Sequence, residues 1–149
     1  GDGSLTEDSA PAKEIFEKRM RKHDDLKKVL PDPVLHGEET ADILFVGWGS
    51  PKLAVTDAID HYTQQGGALK VSYLHYEYMF PVRPEKLQQL AEKAKKVVFV
   101  ENNGTGQLAK LIRMESGFVA DDLLLKNDGR PFFISEILDY IHQAEGKEA

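Results

Sequence analysis

Glu101, Asn102, Asn103, Gly104, Thr105, Gly106 and Gln107 put an acid, three carboxamides, a hydroxyl and two glycines into one short stretch. A carboxylate can accept a proton, carboxamides both donate and accept, and glycines let backbone N–H groups approach a ligand closely. A second polar turn, Gly47–Trp48–Gly49–Ser50, adds a hydroxyl and an indole N–H. Asn103–Gly104 favours positive φ, and Thr105 is placed to N-cap the segment that follows. These two turns are the candidate ligand or interface edge. Neither carries a complete nucleotide motif. The dinucleotide fingerprint needs a third glycine where Leu53–Ala54 stand, and Pro51 removes an N–H donor. The phosphate-loop pattern needs a lysine–hydroxyl pair that is missing here. Both turns can equally be read as structural.

Other reactive side chains lack company. His75 and Glu77 share one face of an extended segment, but no third metal ligand is placed beside them. Tyr73, Tyr76, Tyr78 and Phe80 read as strand core and edge, with no basic interleaving for nucleic acid.

The elements that must position the two turns are legible in the apolar pattern. Residues 43–46 and 97–100 are continuous apolar runs ahead of the two turns, as expected of buried strands. Residues 69–74, extended through 79 and stopped at Phe80–Pro81, give another strand, and 123–125 a short fourth. Helices are predicted from Pro11 to about Leu30, from Pro51 to Gly66–Gly67, and from Pro84 with Leu87, Leu90, Ala91 and Ala94 inward. Two more run over about 105–115 and 134–141, the last with Ser135 near its N-cap. Alternating strands and helices predict an α/β fold, a Rossmann-like three-layer sandwich with a mostly parallel sheet. Right-handed crossovers predict the strand order 2-1-3-4, with the turns after strands one and three flanking the switch point.

Residues 1–10 are read as a disordered leader or cloning scar, 11–36 as a lead-in helix and linker, and 37–149 as the α/β domain. Residues 34–41 are expected to be an exposed link. The chain opens Gly1–Asp2–Gly3–Ser4 without an initiator methionine, as expected of an excised piece. A length of 149 residues fits one domain with an appendage. The absence of cysteine excludes thiol catalysis and cysteine-ligated clusters within the chain. A net charge of −6 argues against nucleic acid or an anionic membrane as partner, and no apolar run is long enough to span a membrane. The expected compartment is cytoplasmic.

Four stretches carry a family resemblance: A-D-I-L-F-V-G-W-G-S over 41–50, Phe80–Pro81, V-E-N-N-G-T-G-Q-L-A-K-L-I-R over 100–113, and D-G-R-P-F over 128–132. With the Pro31–Asp32–Pro33 helix exit, the chain resembles the C-terminal domain of the α subunit of 2-oxoacid:ferredoxin oxidoreductases, of the 2-oxoglutarate kind, over roughly residues 13–143. The resemblance implies a fold like the C-terminal domain of transketolase. It also implies a parent enzyme that oxidatively decarboxylates a 2-oxoacid to acyl-CoA and reduces ferredoxin. Thiamine diphosphate, magnesium, an iron–sulfur cluster and CoA are implied for the full complex, and none for this fragment. The implied partners are an upstream pyrimidine-binding domain, a β subunit and ferredoxin. No catalytic residue of the family maps onto this chain. The expectation is an assembly domain that is inactive alone. The alternative is a small-molecule module binding an anion, nucleotide or CoA in the crevice between the first and third strands.

Overall fold

The computed structural model describes residues 7–146, which divide into a helical unit ending at Pro31 and an α/β unit beginning at Asp32. Residues 1–6 of the expected leader lie outside the described residues. Helix α1 (Ser9–Val29) starts two residues before Pro11, because the Asp8 carboxylate accepts the Ala10 N–H at 3.1 Å. Ser9 and Ala10 are therefore helical, a correction to the leader reading. Pro31 and Pro33 stop the helix, which buries none of its residues and leaves Phe16 and Met20 exposed.

The α/β unit runs β1 (Val34–His36), β2 (Ala41–Trp48), α2 (Pro51–Gln64), β3 (Val71–Tyr76), α3 (Glu85–Ala91), β4 (Ala94–Glu101), α4 (Gln107–Ser116), β5 (Asp122–Leu125) and α5 (Ile134–Ala144). The sheet order is β1-β3-β2-β4-β5. The four parallel strands stand in the expected 2-1-3-4 order, with β2 at the centre. Gly47 lies opposite His75 on one side and Val100 on the other. Strand β1 is a correction: residues 34–36 are an antiparallel edge strand on β3, not an exposed link.

Successive residues of β2 alternate between two cores, the period-two signature of a sheet covered on both faces. Ile43 and Phe45 join Tyr73, Val98 and Val100 against Val55 and Ile59 of α2 and Ile137 and Ile141 of α5. Leu44 and Val46 join Leu74, Val97 and Phe99 against Leu87 of α3 and Leu108 and Ile112 of α4. The result is the predicted three-layer α/β sandwich. Burying each such side chain contributes about 1.5–3 kcal/mol, so the sheet's register is strongly held.

Boundaries shift where hydrogen bonding overrides apolar pattern. β3 ends at Tyr76, leaving Glu77 and Tyr78 exposed, and Ala94 opens β4 instead of closing α3. Ser135 is not the cap of α5. Phe133 holds that position, and its N–H donates to the Glu136 carboxylate at 2.8 Å.

Candidate functional site

The centre of the candidate edge is Glu101, the last residue of β4 and fully buried. A buried carboxylate requires paired donors, and Glu101 has four. Its oxygens accept the backbone N–H of Leu108 at 2.9 Å and of Ala109 at 3.0 Å, the Asn103 amide at 2.8 Å and the Trp48 indole N–H at 3.3 Å. Three of these bonds fall on Oε2 and one on Oε1, so both oxygens are engaged from within the fold. The negative charge sits against the N-terminus of α4, where the helix dipole favours it.

Glu101 thus does what Thr105 was expected to do. Thr105 makes no capping bond to α4; its own N–H donates to the Asn103 side-chain oxygen at 3.0 Å. The same oxygen accepts the Gln107 N–H at 3.3 Å, so Asn103 folds the turn upon itself. The left-handed residue is Gly106, at φ 63°, and not Gly104. Gly104 is needed for a different reason: a Cβ there would lie 2.7 Å from the Asn127 side-chain nitrogen.

The two turns meet. The Trp48–Glu101 bond joins them below, and the Asn102 amide donates to the Ser50 hydroxyl at 3.3 Å above. Gly47 is buried under Val100 and Tyr73; a Cβ there would come within 2.7 Å of the Val100 carbonyl oxygen. Gly49 turns the chain at φ 66° with open space around it. Asn102, Thr105, Gln107, Gly49 and Ser50 are exposed, and Trp48 is half-buried. All the predicted site residues therefore fall on one edge at the C-terminal ends of β2 and β4.

One neighbouring pair escaped the sequence reading. Tyr73 and His75 stand on the β3 face beside Gly47, with the Tyr73 hydroxyl 2.9 Å from His75 Nδ1. Burial pushes the Tyr73 phenol upward and the His75 imidazole downward, so both groups of this hydrogen-bonded pair favour their neutral forms. Their i, i+2 spacing on a strand was the available signal. Lys52 and Glu77 flank the pair, 3.7 Å apart.

Among the described residues, no three His, Cys, Asp or Glu side chains converge to hold a metal ion. Glu101, with both oxygens held by internal donors, does not fit a diphosphate–magnesium group. No helix of the described residues is long and apolar enough to cross a membrane.

No family model matches the chain. A crystal structure of the α chain of a probable 2-oxoacid ferredoxin oxidoreductase from Thermoplasma acidophilum is 32% identical. The match covers 78% of this chain and 98% of that one, with a TM-score of 0.52. The chain belongs to the 2-oxoacid:ferredoxin oxidoreductase α-subunit family. Subunit α of 2-oxoacid:ferredoxin oxidoreductase 1 from Aeropyrum pernix is 30% identical over 142 residues, 92% of this chain and 22% of the relative. This α-subunit family member spans about a fifth of the length of the curated relatives it matches. Its fold also matches 2-oxoglutarate:ferredoxin oxidoreductase from Magnetococcus marinus, solved with 2-oxoglutarate, coenzyme A and succinyl-CoA bound. There the TM-score is 0.79 at 24% identity, over 95% of this chain and 24% of that one. A split-gene transketolase, described as an inactive β4 tetramer, shares the fold at TM-score 0.55 and 13% identity, over 80% of this chain and 44% of that one. The expected α/β fold, with a transketolase among its structural neighbours, is thereby borne out.

Proposed function

We propose that this chain is the assembly domain of a 2-oxoacid:ferredoxin oxidoreductase α subunit, contributing contacts and no catalytic group. The parent complex would oxidise a 2-oxoacid to acyl-CoA in the cytoplasm, using thiamine diphosphate, magnesium and iron–sulfur clusters held outside this domain. Its neighbours would be the upstream pyrimidine-binding domain and the β subunit, with ferredoxin as the electron acceptor of the whole.

The observation that carries this reading is the inward engagement of Glu101. An acid held by four internal donors is a structural clamp, and the turn it clamps is prearranged for contact. Preorganised surface loses little conformational entropy on association. The same engagement weakens the anion reading of the crevice between β2 and β4, because the Leu108 and Ala109 N–H groups already have their acceptor.

Asn102 and Gln107 are exposed, so Asn102→Arg with Gln107→Arg adds charge to the edge without touching the Glu101 clamp. We expect the double variant to keep the wild-type unfolding midpoint while binding the rest of the α polypeptide and the β subunit at least tenfold more weakly. Undiminished association would refute the assembly reading.

A further inference from the structure

The turn after β4 and the turn after β5 enclose an open cleft of about 530 Å³, lined chiefly by Asn102, Asn103, Lys126, Asn127 and Arg130. It sits at the C-terminal ends of two parallel strands, to the side of the crevice between β2 and β4. The two walls are in contact, since the Asn127 side chain lies across the bare backbone of Gly104.

The basic groups of the cleft have different standing. Lys126 is part of the wall: only 9% of its side chain is exposed, and its ammonium lies 2.7 Å from both Glu136 oxygens and 4.7 Å over the Phe133 ring. Its charge is already compensated. Arg130 is exposed, and its guanidinium makes no ion pair among the described residues. Its loop is held by the Arg130 N–H donating to Asp128 at 3.0 Å and by Gly129 at φ 79°. Asp128, the acid nearest in sequence, is directed to that N–H and toward Lys126 at 3.9 Å. The Asn127 carboxamide makes no hydrogen bond among the described residues, and the Asn102 amide has one hydrogen beyond its bond to Ser50.

We propose that this cleft binds a small phosphoryl-type oxyanion, with the Arg130 guanidinium as the charged donor and the Asn127 and Asn102 amides as neutral donors. A guanidinium offers two parallel N–H groups to an anion, which fixes orientation as well as charge. Donors arriving from two opposed walls suit a tetrahedral group, whose acceptor oxygens point in several directions, better than a planar carboxylate. The chain's net charge of −6 makes this a local site and not a general polyanion surface. The site is independent of the assembly reading: phosphate affinity is a property of the chain by itself and stands or falls without any partner.

The test is an amide-shift titration of the full 149-residue chain with inorganic phosphate, held at constant ionic strength, with acetate as a parallel arm. Saturable shifts are expected at residues 102–103 and 127–130, with acetate at least tenfold weaker. Arg130→Gln should weaken phosphate at least tenfold, the loss expected for a charged hydrogen-bonding partner. Lys110→Gln, an exposed helical cation elsewhere, should leave the affinity unchanged. Absence of saturation, shifts confined to the first turn of α2, or full affinity in folded Arg130→Gln would overturn the proposal. Acetate binding as tightly as phosphate would overturn its phosphoryl assignment.

Discussion

Glu101 shows how a side chain with catalytic potential becomes structural. Its carboxylate lies below the surface with two helix N–H groups, an indole and a carboxamide as donors. Glu101→Gln keeps the shape but turns an NH2 group toward donors. The variant should lose about 2–4 kcal/mol of unfolding free energy, measured by urea titration, because buried donors lose their acceptor. A loss below the ~0.5 kcal/mol of a surface change would contradict the clamp. Asp122 makes a second residue-scale prediction. Hydrogen bonds from Tyr140 and Lys96 lower its pKa from 3.8 to about 2. Its folded-state pKa thus lies below the unfolded one, so its contribution is complete above about pH 4 and fades as pH falls through about 2. In Asp122→Asn that part of the acid limb should vanish, and unfolding midpoints between pH 5 and 2 should fall less steeply than in wild type. The side chain is 42% exposed, so solvent screening keeps the difference small.

At the scale of elements, the central strand tolerates no side chain at Gly47. An added Cβ would meet the Val100 carbonyl oxygen at 2.7 Å and the Tyr73 hydroxyl at 3.0 Å, both in the packed interior. Gly47→Ala should therefore cost about 1–3 kcal/mol by overpacking, read as a lowered thermal midpoint. Gly49→Ala, where φ is 66° but space is open, should cost less, about 1 kcal/mol of backbone strain. Equal losses would show that the Gly47 contact is soft. The strands and their order were legible because β2, β3 and β4 are built on largely apolar runs buried on both faces and their crossovers obey one handedness. Strand β1 was not, since its three residues, Val34 to His36, pair through backbone groups that carry no sequence signal. The cap of α4 was misread for a related reason. Local spacing nominates Thr105, yet the strand-end carboxylate six residues before the helix reaches the same N–H groups in the folded chain.

For the whole molecule, the chain spans about a fifth of the length of its curated relatives and forms a three-layer α/β unit. The run V-E-N-N-G-T-G-Q-L-A makes the family legible in the sequence alone. It also named the residues of one contiguous edge, because strand-end turns on both sides of a switch point must be neighbours. The internal engagement of Glu101 was invisible, since long-range hydrogen bonding leaves no local pattern. The cleft beneath Arg130 escaped for the same reason: its walls come from turns more than twenty residues apart. On the assembly proposal, residues 47–50 and 101–107 form a contact edge of an assembled α subunit. Hydrogen exchange compares the chain alone with the chain assembled with the remaining α polypeptide and the β subunit. The exposed amides at Gly49, Ser50, Asn102 and Gly104 should slow at least tenfold on assembly, while those of exposed residues in α5 change little. Equal exchange of the edge amides in both states would contradict the account.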